Sequence, residues 1–444
     1  MLEPECSKAR AVSFLCSLGL FIAGYVFYSS SLIQAFYAAE FTLSNWQIGI
    51  AQSAVPLGAV TGAVLAGRLA DLFGRHRLLV WNFLMLVLVS LSGSLIFDYS
   101  SLLIVRLLDG CLAGTLYPLC AAYLTEMTPA AALARQSAVL MFINCLAAPA
   151  ACIVAILLSC VCRDPVLWRV MIASLAVPSL AAYIWSTLLP ESQQWLYAEN
   201  SRITSSHQTG EAGRSLFDGA RILFSPDYRS VTLCLLGAWF LMDVAYYGIN
   251  FFVPYLLQAM QINTLQNHFA LSYHPLLSSG TVWGTLIINL FFALGALAAI
   301  FVIEKVDLIR LQKFGFFWAG ISLFLLAGYF YTDLRLDSII IILFVVFNFA
   351  INLGPDVTTY LLSATSYPVE IRGSGHGLIA GFAKFGSFLG VLLLPWLQDL
   401  WGYQAVILLL SVFLFMAYMM TVSFARVISA EYKKMEAEII YETN

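Results

Sequence analysis

The chain has 444 residues, 61% of them hydrophobic and only 11% charged, with a mean hydropathy of +0.86. A soluble domain needs about a quarter of its residues charged to cover its surface, so composition excludes one and predicts a protein that lives in a bilayer. The formal net charge of −3 says little, because the charge asymmetry lies between the two faces of the membrane.

Apolar runs of about 20 residues, long enough to cross a hydrocarbon core roughly 30 Å thick, recur along the whole chain. Twelve are predicted, near 11–35, 46–66, 78–97, 101–124, 136–161, 166–189, 229–258, 280–303, 314–331, 338–366, 373–398 and 403–424. The first follows Lys8 and Arg10 and carries no small-residue cleavage pattern, so it reads as an uncleaved helix whose start stays in the cytoplasm. Arg68, Arg75 and Arg77, then Arg135, then Arg202, Arg214, Arg221 and Arg229, then Lys305, Arg310 and Lys313, then Arg372 fall in the even-numbered gaps. The odd gaps hold only Arg163, Arg169 and Arg335, which places both termini inside by the positive-inside rule.

Most of the nine cysteines, Cys16, Cys111, Cys120, Cys145, Cys152 and Cys234 among them, lie in apolar runs as small packing residues. Cys160 and Cys162 are too close in sequence to bridge comfortably. No Cys or His spacing suggests a metal site, and no cofactor is expected. The absence of any N-x-S/T sequon, with short external loops, favours a bacterial inner membrane.

The longest polar stretch, 191–227, reads as a cytoplasmic linker between a six-helix bundle at 1–190 and a second at 228–425, with a cytoplasmic tail at 426–444. The halves echo each other. GRLADLFGRHR, Gly67 to Arg77, follows the second run, and EKVDLIRLQK, Glu304 to Lys313, follows the eighth. The fold class is therefore an all-α membrane protein of twelve transmembrane helices arranged as two pseudo-symmetric six-helix bundles.

Five ionisable residues stand deep inside the runs: Arg106, Asp109, Asp243, Asp356 and Lys384. Each costs about 2.5–3.5 kcal/mol at mid-bilayer on insertion scales, so each needs a partner, water or a function. On the seventh run Trp239, Asp243, Tyr247 and Asn250 fall within roughly 80° of one another on a helix, with Gly248 and Pro254 weakening the backbone beyond. On the tenth, Asn348, Asn352, Asp356, Thr359 and Ser363 share a face beside the Gly354-Pro355 interruption. For Asn348 and Ser363, interhelical hydrogen bonding and pathway lining stand level. Lys384, about eleven residues from the nearer end of a glycine-rich eleventh run, reads as a cavity cation that pairs with Asp243 or Asp356 when the site is empty. Arg106 and Asp109, one turn apart, fit either a structural ion pair or a proton-coupling pair, and Tyr117 continues their face. His376 reads as a packing residue near the inner face.

GRLADLFGRHR resembles the inner-face signature of the major facilitator superfamily, with its acidic and basic positions on Asp71, Arg75 and Arg77. RLLDG with Arg106 and Gly110, YLTEMTP with Tyr123 and Glu126, and LPESQQWL from Leu189 to Leu196 resemble further marks of its sugar-porter-like branch. In the second half, WFLMDVAYYG (Trp239 to Gly248) and the stretch from Asn352 to Gly386 are locally similar to phosphate:proton symporters. The resemblance implies alternating access, with Gly67, Asp71, Gly74, Arg75, Arg77, Glu126 and Arg135 as a gating set that latches the halves. Three departures stand out. Leu116 occupies the place of an acidic residue before Tyr117-Pro118-Leu119, Gly24, Tyr25, Val26 and Phe27 stand in the first run where those symporters show aspartates, and Asp356 stands where they tend to carry Asn.

The function expected is proton-coupled symport of a small polar, anionic metabolite by a monomer, with no nucleic-acid partner. Asp243, with Arg106 and Asp109, would carry coupling protons; Tyr117, Trp239, Tyr247, Asn250, Asn352, Asp356 and Lys384 would hold solute. Inorganic phosphate symport comes second, disfavoured by Leu116, and metabolite or drug export third. A non-transporting receptor would need an output domain larger than Arg426 to Asn444. An enzyme would need a nucleophile motif or metal set that the sequence lacks, and a channel fits poorly with a two-fold repeat.

Overall fold

A computed structural model of the chain describes residues 2–162, 166–209, 218–251, 279–332 and 336–443. The expectations placed on Arg163, Arg214, Pro254 and Arg335, and the far end of the seventh run, lie outside these residues. Apart from one short 3-10 turn at Gly93–Leu95, every regular element among them is an α-helix. That follows from the solvent: in hydrocarbon each backbone N–H and C=O must find its partner within the segment.

The first half contains α1 (Leu2–Glu40), α2 (Asn45–Phe73), α3 (Arg75–Ser92), α4 (Tyr99–Met127), α5 (Ala130–Val161), α6 (Val166–Ala173) and α7 (Ala176–Ser186). Then come α8 (Gln193–Thr209) and α9 (Asp218–Leu223), followed by α10 (Arg229–Asn250), α11 (Ser279–Val302), α12 (Leu308–Tyr329), α13 (Asp337–Leu353), α14 (Pro355–Thr365) and α15 (Val369–Thr443). Twelve candidate spans emerge, from Ala9–Glu40 to Trp396–Ala425, in the order the apolar runs predict. α6 with α7 forms the sixth and α13 with α14 the tenth. α15 carries the last two, separated at Gly402, whose φ of 79° breaks the helical path.

The ends and breaks of these helices have local causes. Ser44 and Gln47 form a capping box that starts α2, and Asp98 with Ser101 does the same for α4. Asp98 is exposed outside the spans, and its hydrogen bonds with Ser101 hold its carboxyl below the usual range. Pro178 cannot donate to the carbonyl of Ser174, where the sixth span breaks, and Pro355 cannot donate to Ile351, where the tenth breaks. The polar stretch read as a linker is partly helical, in α8 and α9. Its polarity placed it outside the spans but gave no apolar period by which to see those helices.

The halves meet mainly where α2 runs along the first span of α15 and where α5 packs on α11. These are the second with the eleventh span and the fifth with the eighth, pairs that interchange when each span is shifted by six. Two six-helix repeats related by a two-fold require that exchange. Lipid supplies no hydrophobic force to hold the seam, so close backbone packing must do it. At Gly67 a Cβ would collide with the carbonyl oxygen of Gly373 and come within 2.9 Å of the Gly377 Cα. Only glycine lets α2 and α15 approach so far.

Candidate functional site: a buried ion pair at the seam of the two halves

The Asp243 stripe of α10 and Lys384 of α15 face each other because these two helices pack along most of their length. Lys384 Nζ donates to Asp243 Oδ2 at 3.0 Å and to the Tyr247 hydroxyl at 3.0 Å. Ser387, one turn beyond Lys384, donates to the same Asp243 oxygen at 2.9 Å. Asp243 is 1% and Lys384 2% exposed. The lysine therefore does not snorkel, and it pairs with Asp243 rather than Asp356.

Aromatic faces close the cage from both halves. The ammonium lies 4.3 Å from the Tyr247 ring centroid, 4.8 Å from Tyr117 and 5.3 Å from Phe27. Tyr117 comes from α4 and Phe27 from α1, so one cation touches both six-helix units. A cation over a desolvated ring gains about 2 kcal/mol, and an ion pair in a dry site must be well hydrogen-bonded to repay its desolvation. Both conditions hold here.

Other expected residues lie around this centre. Trp239 packs edge-to-face on buried His376, with centroids 5.7 Å apart, and His376 meets Tyr360 on its other side at 4.9 Å. His376 Nδ1 bonds Ser363 at 2.9 Å, while its Nε2 has no partner among the described residues. Asn352 donates to the Asn348 carbonyl at 2.6 Å and accepts from the Cys145 thiol at 3.4 Å. Ser363 and Asn348 thus bond mainly within their own half. Asn250 sits half-buried at the end of α10 with its Nδ2 unpartnered among the described residues. Asp356 is half-buried in the first turn of α14 and close enough to Asp243 and Lys384 to feel both charges.

Arg106 and Asp109 form a separate buried pair at 3.9 Å. Eleven residues of α4 separate Arg106 from Tyr117, about 16 Å along the axis, so the structure does not bring this pair to Lys384. Arg106 Nη2 and Asp109 Oδ1 have no hydrogen-bond partner among the described residues. Leu116, the departure next to Tyr117, packs within the first half. Its side chain is fully buried, with Cδ2 only 3.6 Å from where a Cβ on Gly19 of α1 would stand. Position 116 points into the first half, and Tyr117 beside it faces Lys384.

A second constellation closes one end of the seam. Asp71 accepts from the Gly373 N–H at 3.1 Å, the Ser374 N–H at 2.8 Å and the Ser374 hydroxyl at 2.6 Å. Arg75 pairs with Asp71 at 3.2 Å and Glu126 at 2.8 Å, and donates across the seam to the Val369 carbonyl at 2.9 Å. Glu191 accepts from the backbone N–H groups of Arg75 (3.0 Å) and His76 (2.9 Å), a carboxylate seated at the N-terminus of α3. Gly74, at φ 97°, makes the turn that presents those groups. The side chains of Arg77 and Arg135 are exposed and stand apart from this network.

Several contributors escaped the sequence reading. Ser387 was visible as the i+3 neighbour of Lys384; Ser374 and Glu191 find their partners only through the fold. Tyr28 and Tyr246 join hydroxyls across the halves at 2.9 Å, which no local pattern announces. Among the described residues no group of three His, Cys, Asp or Glu side chains is placed to hold a metal ion.

Twelve candidate membrane spans whose halves meet around a buried charged centre, with a polar cluster at one end of the seam, fit the class of membrane transport proteins. Residues 15–362 match the family described as Major Facilitator Superfamily. The arabinose-proton symporter of Bacillus subtilis (strain 168) is 23% identical over 436 residues, spanning 90% of this chain and 90% of that protein. The repressible high-affinity phosphate permease of Neurospora crassa is 24% identical over 446 residues, spanning 86% of this chain and 76% of that one. The proton:xylose symporter XylE of E. coli, bound to 6-bromo-6-deoxy-D-glucose, superposes with a TM-score of 0.77 at 16% identity, over 95% of this chain and 96% of that one. The chain belongs to the Major Facilitator Superfamily and is a transporter.

Proposed function

We propose that the protein is a proton-coupled symporter of a small anionic metabolite, working by alternating access. The observation that carries this reading is the Lys384–Asp243 bond inside an aromatic cage built from both halves. An anion entering the cage competes with Asp243 for the ammonium, and a proton on Asp243 frees that ammonium. Proton and solute therefore favour each other's binding. Tyr117, Trp239 and Tyr247 hold the solute, and the Asp71–Arg75–Glu126 cluster latches one end of the seam while the opposite end admits it. That latched end, next to α8, faces the cytoplasm on the positive-inside argument.

Uptake into proteoliposomes under an imposed inward proton gradient, screened over phosphate, organic acids, sugars and amino acids, tests the reading. Gradient-driven accumulation of an anion, lost in Lys384→Ala, supports it. Accumulation of a neutral sugar alone, indifferent to Lys384, would sink the anionic assignment. Inorganic phosphate is the second reading, favoured by the orientation of Leu116 away from the cage and by the similarity to a phosphate permease.

A further inference from the structure

We propose that His376 and Tyr360 form a second solute subsite, on the latched side of the ion pair, that receives a hydroxyl of the bound anion. The metabolite is then a polyhydroxylated anion; this rests on the symport reading above. Both residues are buried, His376 at 0% and Tyr360 at 1% exposure. The His376 Nε2 and the Tyr360 hydroxyl, carried on rings whose centroids stand 4.9 Å apart, each have no hydrogen-bond partner among the described residues. A polar group left unpaired in a dry interior is costly, and two on neighbouring rings call for a shared partner from outside the chain.

The two helices that frame the ion pair fix where these rings lie. On α15, Ser374 is held in the latch by Asp71, His376 follows two residues later, and Lys384 stands two turns beyond, about 12 Å along the axis. On α10, Thr232 bonds Tyr367 at 2.8 Å, two residues before the latched Val369. Trp239 then packs on the His376 ring, and Asp243 comes one turn later, about 6 Å on. The wall from latch to ion pair therefore passes through His376. Tyr360 belongs to α14, which packs against α4 and α5 of the first half, so the rings stand on an element that borders the seam.

The chemistry of the orphaned atoms selects the group they take. His376 Nδ1 is engaged with Ser363 at 2.9 Å, which fixes the ring and leaves Nε2 as its open edge. Nε2 accepts in one neutral tautomer and donates in the other, and the Tyr360 phenol does both. An alcohol also donates and accepts, so a hydroxyl placed between the two rings satisfies both in either tautomer. A carboxylate oxygen only accepts, and a methylene does neither. An anion held at Lys384 must extend roughly 6–12 Å toward the latch to bring a hydroxyl there. A sugar acid or a hexose phosphate spans that distance, and free phosphate does not. An apolar chain of the same length leaves both atoms unpaired and is rejected.

Calorimetric binding to the full-length protein in detergent tests this with gluconate, galactonate, glucuronate and a hexose phosphate against hexanoate and inorganic phosphate. At least one polyhydroxylated anion is expected to bind about tenfold or more tightly than hexanoate, its apolar counterpart of equal carbon count. His376→Phe and Tyr360→Phe should each lower that affinity about tenfold and leave hexanoate and phosphate where they were; loss of packing alone would weaken every anion alike. Binding of hexanoate or phosphate but of no polyhydroxylated anion, or a hydroxyl preference that survives both variants, overturns the subsite and leaves the symport reading intact. Anion affinity indifferent to Lys384→Ala overturns the symport reading instead. Tyr360→Phe deletes only an unpartnered hydroxyl, so its melting temperature should hold or rise. A fall in melting temperature with the anion preference unchanged assigns the two atoms to a structural water and overturns the proposal.

Discussion

Replacing Asp243 by Asn separates a coupling role from a purely structural one. In the structure Asp243 Oδ2 receives two donors, Lys384 at 3.0 Å and Ser387 at 2.9 Å. The amide oxygen still accepts both, but the buried ammonium loses its counter-charge. Removing one partner of a buried pair costs about 3–5 kcal/mol; with both hydrogen bonds and three aromatic faces kept, the lower end, about 3 kcal/mol, is expected. The variant should therefore unfold earlier in a thermal scan in detergent. Asp243→Asn combined with Lys384→Met, which removes both charges, should recover to within about 1 kcal/mol of wild type, because swapping a buried pair for apolar bulk is often neutral. Transport is then compared per folded molecule. The amide mimics protonated Asp243, so trans-driven exchange of the labelled solute should persist while accumulation driven by an imposed proton gradient is lost. The double variant should lose both, having no ammonium to offer. Gradient-driven accumulation at the wild-type level in Asp243→Asn would refute the coupling role. Equal loss of exchange and accumulation per folded molecule would reduce the pair to a structural strut.

Three further outcomes are expected. Asp71→Ala removes the acceptor of three hydrogen bonds across the seam, weakening the latched state by about 2 kcal/mol, a shift of roughly 30-fold in population; a cysteine placed at buried Ala66 should be alkylated correspondingly faster, and an unchanged rate would rule the latch out. Cysteines introduced at Phe97 and Tyr197, both highly exposed and on opposite sides by the charge distribution, should differ in whole cells: an impermeant maleimide labels Phe97→Cys and spares Tyr197→Cys, and the reverse pattern inverts the topology. Leu116→Asp pushes a carboxylate into the apolar contact with Gly19 at a cost of several kcal/mol; the yield of folded protein should fall with solute preference unchanged, and a gain of phosphate uptake would show that position 116 does reach the solute.

The class of fold was legible in the sequence because the bilayer constrains it strongly. Every spanning segment must be about 20 apolar residues long and must satisfy its own backbone, so twelve runs could be read from hydropathy and the halves from an echoed motif. The charged residues stood out for the same reason, since each is costly where it lies. Helical period put Asp243 and Tyr247 on one stripe, and the structure turns that stripe toward Lys384.

Which charges meet was decided only by tertiary packing. Lys384 had Asp243 and Asp356 as equal candidates on separate helices, and the register of α10 against α15 gave it the first and left the second unpaired. Arg106 looked like a neighbour of Tyr117 on one helical face, yet about 16 Å of α4 separate them. Tyr117 and Leu116 are adjacent in sequence, but one turns to the seam and the other to Gly19. Local period sets which residues share a face; the seam between the halves, drawn in by glycine contacts such as Gly67 on Gly373, sets what each face meets, and residues hundreds of positions apart carry no local signal of that meeting.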